Sequence, residues 1–221
     1  MVNDMNNVDG KGSGAKMFPM WCHPSFSYNR VPWKNAAQWR ALSLRYKTAV
    51  SFASMTRDRD SSGVVAPDPV TGKPRVISYN LAPFDCNTII DGVIANCEIL
   101  VTAGADEIYP ITTAQPASYI VDKKNPQNGG GVSDPRFKEF IAKVRKDGYG
   151  PDWYGLHQMG TCRMGTSEKN SVVDVAGRVW GVPGLYVADA SVFPSPPGSN
   201  PMIPTMAMSL WIANQIIAEP R

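Results

Sequence analysis

The chain has 221 residues, 43% of them hydrophobic and 19% charged, which suits a globular protein with one large or two small cores and excludes a disordered tail. Its 22 Lys and Arg against 19 Asp and Glu leave a net charge of +3, and the basic residues are scattered, so a nucleic-acid-binding role is not expected. No apolar run approaches the ~20 residues that cross a bilayer, the opening MVNDMNNVDGKGSG has no signal-peptide character, and the closing AEPR is neither a prenylation motif nor a peroxisomal address, so an intracellular location is expected.

Residues 1–16 are polar and glycine-rich and predict a disordered N-terminus. Within them, Gly10, Gly12 and Ala15 match the G-x-G-x-x-A dinucleotide fingerprint. That fingerprint works only between a buried strand and a helix, and the flanking MVNDMNNVD and KMFPMW supply neither, so the match is rejected. Residues 17–60 are rich in aromatics and Arg, with a helix predicted across 35–46. Arg57, Asp58, Arg59 and Asp60 read as a solvated mixed-charge run. Residues 63–66 and 75–79 are short apolar stretches around a Pro/Asp/Gly/Lys turn at 67–74, which predicts a hairpin.

Residues 82–104 carry the clearest helical pattern. Ile89, Ile90, Val93, Ile94, Cys97, Leu100 and Val101 recur at helical spacing, and Gly104 suits the end. A loop is expected over 110–131. A second helix opens at Asp134 and Pro135, a cap followed by a proline that needs no N–H partner, and closes at Gly148. Its stripe is Phe137, Phe140, Ile141 and Val144. From 151 onward, short strands at 172–173, 179–180 and 185–187 are predicted between Gly and Pro turns, followed by an apolar helix over 205–218. Phe193, Ile203 and Met206 read as ordinary core more readily than as the lining of an acyl channel.

The four cysteines, Cys22, Cys86, Cys97 and Cys162, include no C-x-x-C pair, so no metal site is expected. Cys86 and Cys97 sit on one face of the predicted helix but about 16 Å apart along its axis, too far to bridge. Free thiols in a reducing compartment are the expectation.

Candidate chemistry concentrates in two stretches. His157, in GLHQMGTCRMG over 155–165, is one of only two histidines. A histidine beside glycines is more often structural than catalytic, although such glycines allow close approach of a ligand. The second stretch, ADASVFPSPPGSNP over 188–201, is a Pro/Gly/Ser-rich loop between a predicted strand and helix, a common place for a site. Asp189 also suits a turn cap, and Asn200 before Pro201 a helix start. These residues alone mark a ligand site and no more.

Taken together, HQMGTCRMG at 157–165, VVD at 172–174, RVWGVPGLY at 178–186, VADASVFP at 187–194 and the pair Asn200, Pro201 resemble the C-terminal signature of the glucose–methanol–choline (GMC) oxidoreductases. VPWKNAAQ at 31–38, TRDRD at 56–60, GKPRVISY at 72–79 and ILVTAGA at 99–105 resemble the long-chain fatty alcohol oxidases within that family. The resemblance runs from about residue 31 to the end. It implies an α+β fold, with residues 17–150 as a substrate-binding cap and 151–221 as the last strands and helix of the flavin domain.

The resemblance also implies FAD as cofactor, a small-molecule alcohol as substrate, hydride transfer to the flavin, and O2 as acceptor with release of hydrogen peroxide. His157 takes the place of the family's motif histidine as base, which suits a side chain that titrates near neutrality. Asn200 takes the place of the family's second His or Asn and orients the substrate oxygen. Asp189, Ala190, Asn200, Pro201 and Met202 are the implied flavin contacts, chiefly through backbone groups. Membrane association or a peroxisomal setting comes with the resemblance, but no segment of this chain signals either. The family's N-terminal G-x-G-x-x-G for the ADP end of FAD has no credible counterpart, so exposed apolar surface is expected of the chain by itself. A dehydrogenase passing electrons to another acceptor, and a non-catalytic remnant or binding module, stay open as alternatives.

Overall fold

The computed structural model describes residues 5–20, 23, 31, 33, 35–110, 118–122, 131–148 and 155–219. In chain order the elements are β1 (Gly14–Met20), α1 (Ala36–Leu44), β2 (Ser51–Arg57), β3 (Ser62–Pro67), β4 (Pro74–Asn80), α2 (Pro83–Thr102), β5 (Glu107–Ile108), β6 (Tyr119–Ile120), α3 (Pro135–Asp147) and α4 (Met202–Ala218), with short 3-10 turns at Tyr46–Thr48 and Ala190–Val192. The fold is α+β, with strands paired as β1–β2, β3–β4 and β5–β6. The chain divides into two compact units, one of Met1–Thr56 with Pro83–Trp153 and the other of Arg57–Ala82 with Tyr154–Arg221.

The first unit is built on α2. Its Ile90, Ile94, Cys97 and Val101 are buried, and they pack with Ile108, Tyr119, Phe137 and Val144. Each such aliphatic or aromatic side chain removed from water contributes roughly 1.5–3 kcal/mol. The Tyr119 ring meets Phe137 edge-on at 5.2 Å and Phe140 at 5.3 Å. The cap predicted for α3 is present: Asp134 accepts from the Arg136 N–H at 2.8 Å, and the Gly148 N–H donates to Val144 O at 3.1 Å. Helix α1 is capped by Asn35, which accepts from Gln38 N at 2.9 Å. Cys86, Cys97 and Cys162 are free thiols, and burial pushes the Cys97 thiol up to about 12, so it stays protonated and inert.

Over residues 5–16 the structure departs from the disorder expected of 1–16, residues 1–4 lying outside the described residues. Asn7 accepts from Gly12 N at 2.6 Å, and Asp9 accepts from Lys11 N at 2.9 Å and Ser13 N at 3.0 Å. The polar side chains that lowered the hydropathy of this segment are spent on its own backbone. They fold residues 5–13 into turns that lead into β1, whose Ala15 and Met17 are buried. The G-x-G-x-x-A match at 10–15 therefore runs from turns into a strand, not from a strand into a helix.

In the second unit, β3 and β4 form the predicted hairpin, in register from Ser62↔Asn80 to Pro67↔Pro74 with an irregularity between Val64 and Val65. Asp68 shapes its turn by accepting from Val70 N at 3.0 Å and Thr71 N at 2.9 Å. The core is Val173, Val192 and Ile212, each 0% exposed. The three short strands predicted between 172 and 187 appear only as the bridges Met164↔Val173, Val173↔Val179 and Arg178↔Tyr186. Asp174 accepts from Ala176 N and Arg178 N, turning the chain back before a ladder can extend.

Helix α4 begins at Met202, three residues before the predicted start, because Pro204 falls in the first turn, where no N–H is required. Its end is braced by Glu219, which accepts from Arg178 Nε and Tyr186 Oη, both at 2.6 Å. The helix is largely apolar, yet only Ile212 is buried. Phe193 is buried as expected of core, whereas Ile203 and Met206 are 64% and 62% exposed. With Met202, Leu210, Trp211 and Ile217 they make the expected exposed apolar surface.

Acid should weaken both units. Hydrogen bonds from the Arg136 side chain and backbone hold the Asp134 carboxyl below the usual range. Burial raises Asp174, but the Arg178 and Ala176 amides and the Arg178 guanidinium lower it further, while Tyr186 and Arg178 lower Glu219. Folded pKa values depressed below unfolded ones mean stability that is complete above about pH 4–5 and lost as pH falls through the folded values. Circular dichroism during acid titration should show the loss below about pH 4, and Asp134→Asn should reduce the acid sensitivity of the first unit. An unaltered acid transition in that variant would show that the carboxylate does not contribute.

Candidate active site

Backbone pairing brings the two candidate stretches of the sequence together. Gly160 N donates to Ala190 O at 3.3 Å, Cys162 N to Ser191 O at 2.9 Å, and Met164 N to Val192 O at 2.9 Å. The segment just after His157 thus lies along the 3-10 turn that follows Asp189. Gly165 N continues the attachment to Val173 O at 3.0 Å. Because Val173 and Val192 are core residues, the site loops are fixed to the centre of the unit.

Two local features explain this close pairing. Asp189 accepts from Ser191 N at 2.7 Å, which shapes the Ala190–Val192 turn. The Ser191 hydroxyl and amide hold its carboxyl below the usual range. Gly160 has φ +82°, and a Cβ there would lie 3.2 Å from Phe193 O. Another residue would be strained in that conformation and crowded against the facing carbonyl.

His157 lies three residues before the first rung and is partly exposed. Asn200 is exposed on the loop before α4, and Pro201 is the N-cap of that helix. No hydrogen bond joins His157 to Asn200 among the described residues. The structure therefore pairs the His157 stretch with the Asp189–Ala190 stretch directly, while Asn200 and Met202 reach the same unit through the 194–200 loop and α4. Among the described residues, no group of three or more His, Cys, Asp or Glu side chains is arranged to hold a metal.

One end of a flavin suits the groups present. The Asp189 carboxylate is engaged inside its turn and Ala190 O is taken by Gly160, so contact with a ligand there falls to the remaining backbone groups. Helix α4 has no side-chain cap, so the Met202 and Ile203 amides lack intrahelical partners. They form a positive helix end suited to an electron-rich oxygen.

Two contributors were not legible in the sequence. Ser191 supplies both a rung of the pairing and the partner of Asp189. Arg57, read as solvated surface, is part-buried and donates from Nε to Pro196 O at 2.8 Å, 139 residues away. No local signal distinguishes it from Arg59, which lies at the surface as expected and pairs there with Asp60 at 2.6 Å.

Comparison with known proteins agrees with these motifs. A family model described as GMC oxidoreductase matches residues 60–209. The long-chain-alcohol oxidase FAO3 of Arabidopsis thaliana is 30% identical over 193 residues, covering 84% of this chain and 24% of that protein. The long-chain-alcohol oxidase FAO4A of the same plant is 29% identical over 198 residues, covering 88% of this chain and 25% of that protein. A 5-(hydroxymethyl)furfural oxidase of Methylovorus sp. is 38% identical over 97 residues, covering 42% of this chain and 18% of that protein. The chain spans about a quarter of the length of the long-chain-alcohol oxidases it matches.

Proposed function

This chain belongs to the GMC oxidoreductase family, and on that premise we propose that it supplies the catalytic loops of an FAD-dependent long-chain alcohol oxidase. The proposed reaction takes a primary alcohol to its aldehyde and reduces O2 to hydrogen peroxide. The observation that supports the reading is the pairing of the segment after His157 with the turn after Asp189, through Gly160 N to Ala190 O and Cys162 N to Ser191 O. The likeness to plant long-chain-alcohol oxidases over most of the chain supports the substrate class.

In this mechanism an imidazole nitrogen of His157 accepts the proton of the substrate hydroxyl. The Asn200 amide hydrogen-bonds the same oxygen and orients it, since an amide does not take up a proton at neutral pH. FAD, when bound, supplies the hydride acceptor. The turn at Asp189 and Ala190, together with Asn200, Pro201 and Met202, would hold its ring end chiefly through backbone groups. Two electrons leave the alcohol carbon as hydride and the hydroxyl proton leaves through His157, so the aldehyde is formed with the charges balanced.

A second reading is a non-catalytic binding module. Flavin retention separates the two. The chain is mixed with FAD, freed of unbound flavin, and its visible absorbance recorded. A bound-flavin spectrum followed by peroxide release with a long-chain alcohol is the expected result. A colourless protein would remove the chain by itself as an enzyme.

A further inference from the structure

The loop that carries Asn200 has the sequence Pro-Ser-Pro-Pro-Gly-Ser-Asn over 194–200. Pro194, Pro196 and Pro197 have no N–H to donate, so this stretch offers few backbone donors of its own. A distant side chain meets it instead. Arg57 Nε donates to Pro196 O at 2.8 Å. The stem of the same residue lies against Gly198, where an added Cβ would come within 3.1 Å of Arg57 Cδ, 3.4 Å of its Cβ and 3.5 Å of its Cγ. Gly198 is buried and has φ +68°, while Ser199 and Asn200 just beyond it are exposed. Arg57 therefore grips the loop at two points, one polar and one by close packing, immediately before the exposed amide.

We infer that Arg57 is a positioning residue, fixing the 194–200 loop and through it the place of the Asn200 amide. The inference rests on the reading of Asn200 as the group that orients the substrate oxygen. A charged guanidinium suits the task because its hydrogen bond to a carbonyl is stronger than a neutral one, and its planar head sets a direction as well as a distance.

Two substitutions separate the two points of grip. Arg57→Met keeps a long apolar stem and removes the donor. Arg57→Ala removes both. Amide hydrogen exchange measured by mass spectrometry on the chain reads the loop directly, through the amides of Ser195, Gly198, Ser199 and Asn200. Exchange there should quicken about tenfold in Arg57→Met and further in Arg57→Ala, with α3 unchanged. Unchanged exchange over 195–200 in Arg57→Met would overturn the grip, whatever the activity of the protein.

The second readout uses the flavin-loaded protein. Arg57→Met should lower kcat/KM, and that loss should shrink to within about twofold when Asn200 is already Ala, because a residue acting through Asn200 has nothing left to position. An equal loss in both backgrounds would overturn the positioning role. If Asn200→Ala alone leaves kcat/KM unaltered, the reading of Asn200 fails and the positioning role falls with it, while the exchange result still decides the grip on the loop.

Discussion

His157→Asn should lower kcat for alcohol oxidation by about 100- to 10,000-fold while the bound-flavin absorbance is retained. The size follows from the role. Asparagine keeps a polar group of similar reach but cannot accept the hydroxyl proton. The selectivity follows from the geometry. His157 is partly exposed and precedes the Gly160–Ala190 rung, so the substitution leaves that pairing and the turn behind it intact. An interaction made only in the transition state is lost from kcat and kcat/KM alike. Steady-state rates of peroxide formation, taken with the absorbance spectrum on the same sample, check both halves. A variant that keeps its flavin and its kcat would remove His157 as the base. One that loses both would place its role in cofactor retention.

Ile212→Ala should destabilise the second unit by about 2–5 kcal/mol, a large share of the roughly 5–15 kcal/mol typical of a whole domain. Ile212 is 0% exposed and packs with Val173 and Val192. Gly177, at φ +83°, approaches it so closely that an added Cβ would sit 2.9 Å from its Cδ1, Cγ1 and Cγ2. The bridges and turns around it give little room to collapse into the cavity left by alanine. The effect should also reach the site, because Val192 accepts the Met164 rung and Val173 accepts from Gly165. Chemical denaturation should show a lowered midpoint for the variant, and Ile212→Val should cost only about 0.5–1.5 kcal/mol. Equal midpoints for Ile212→Ala and the parent chain would mean that α4 is not anchored through this residue.

Much of the architecture was legible because its causes are local. Asp134 with Pro135 announces the start of α3 and Gly148 its end, since capping depends on neighbouring residues. The apolar repeat from Ile89 to Val101 marks α2, and the turn chemistry around Asp68 marks the hairpin. The motif around His157 and the stretch from Asp189 to Pro201 pointed to a flavoenzyme family that the comparison with known proteins then supported. Where local reading failed, polar groups had been satisfied by partners the pattern does not name. The Asn7 and Asp9 side chains turned a supposedly disordered segment into an ordered lead to β1. Asp174 turned three predicted strands into single bridges.

The sequence by itself determined the helices and the hairpin, because periodicity, caps and turn residues act over a few positions. The α+β class and the residues proposed for the chemistry came from the resemblance of its motifs to the GMC oxidoreductases. Only the tertiary structure decided that the His157 segment lies along the Ala190–Val192 turn, that Ile212 alone of the apolar α4 side chains is buried, and that Arg57 grips the loop before Asn200. Those contacts join residues far apart in the chain, and packing and hydrogen-bond geometry select them only when the whole unit is assembled.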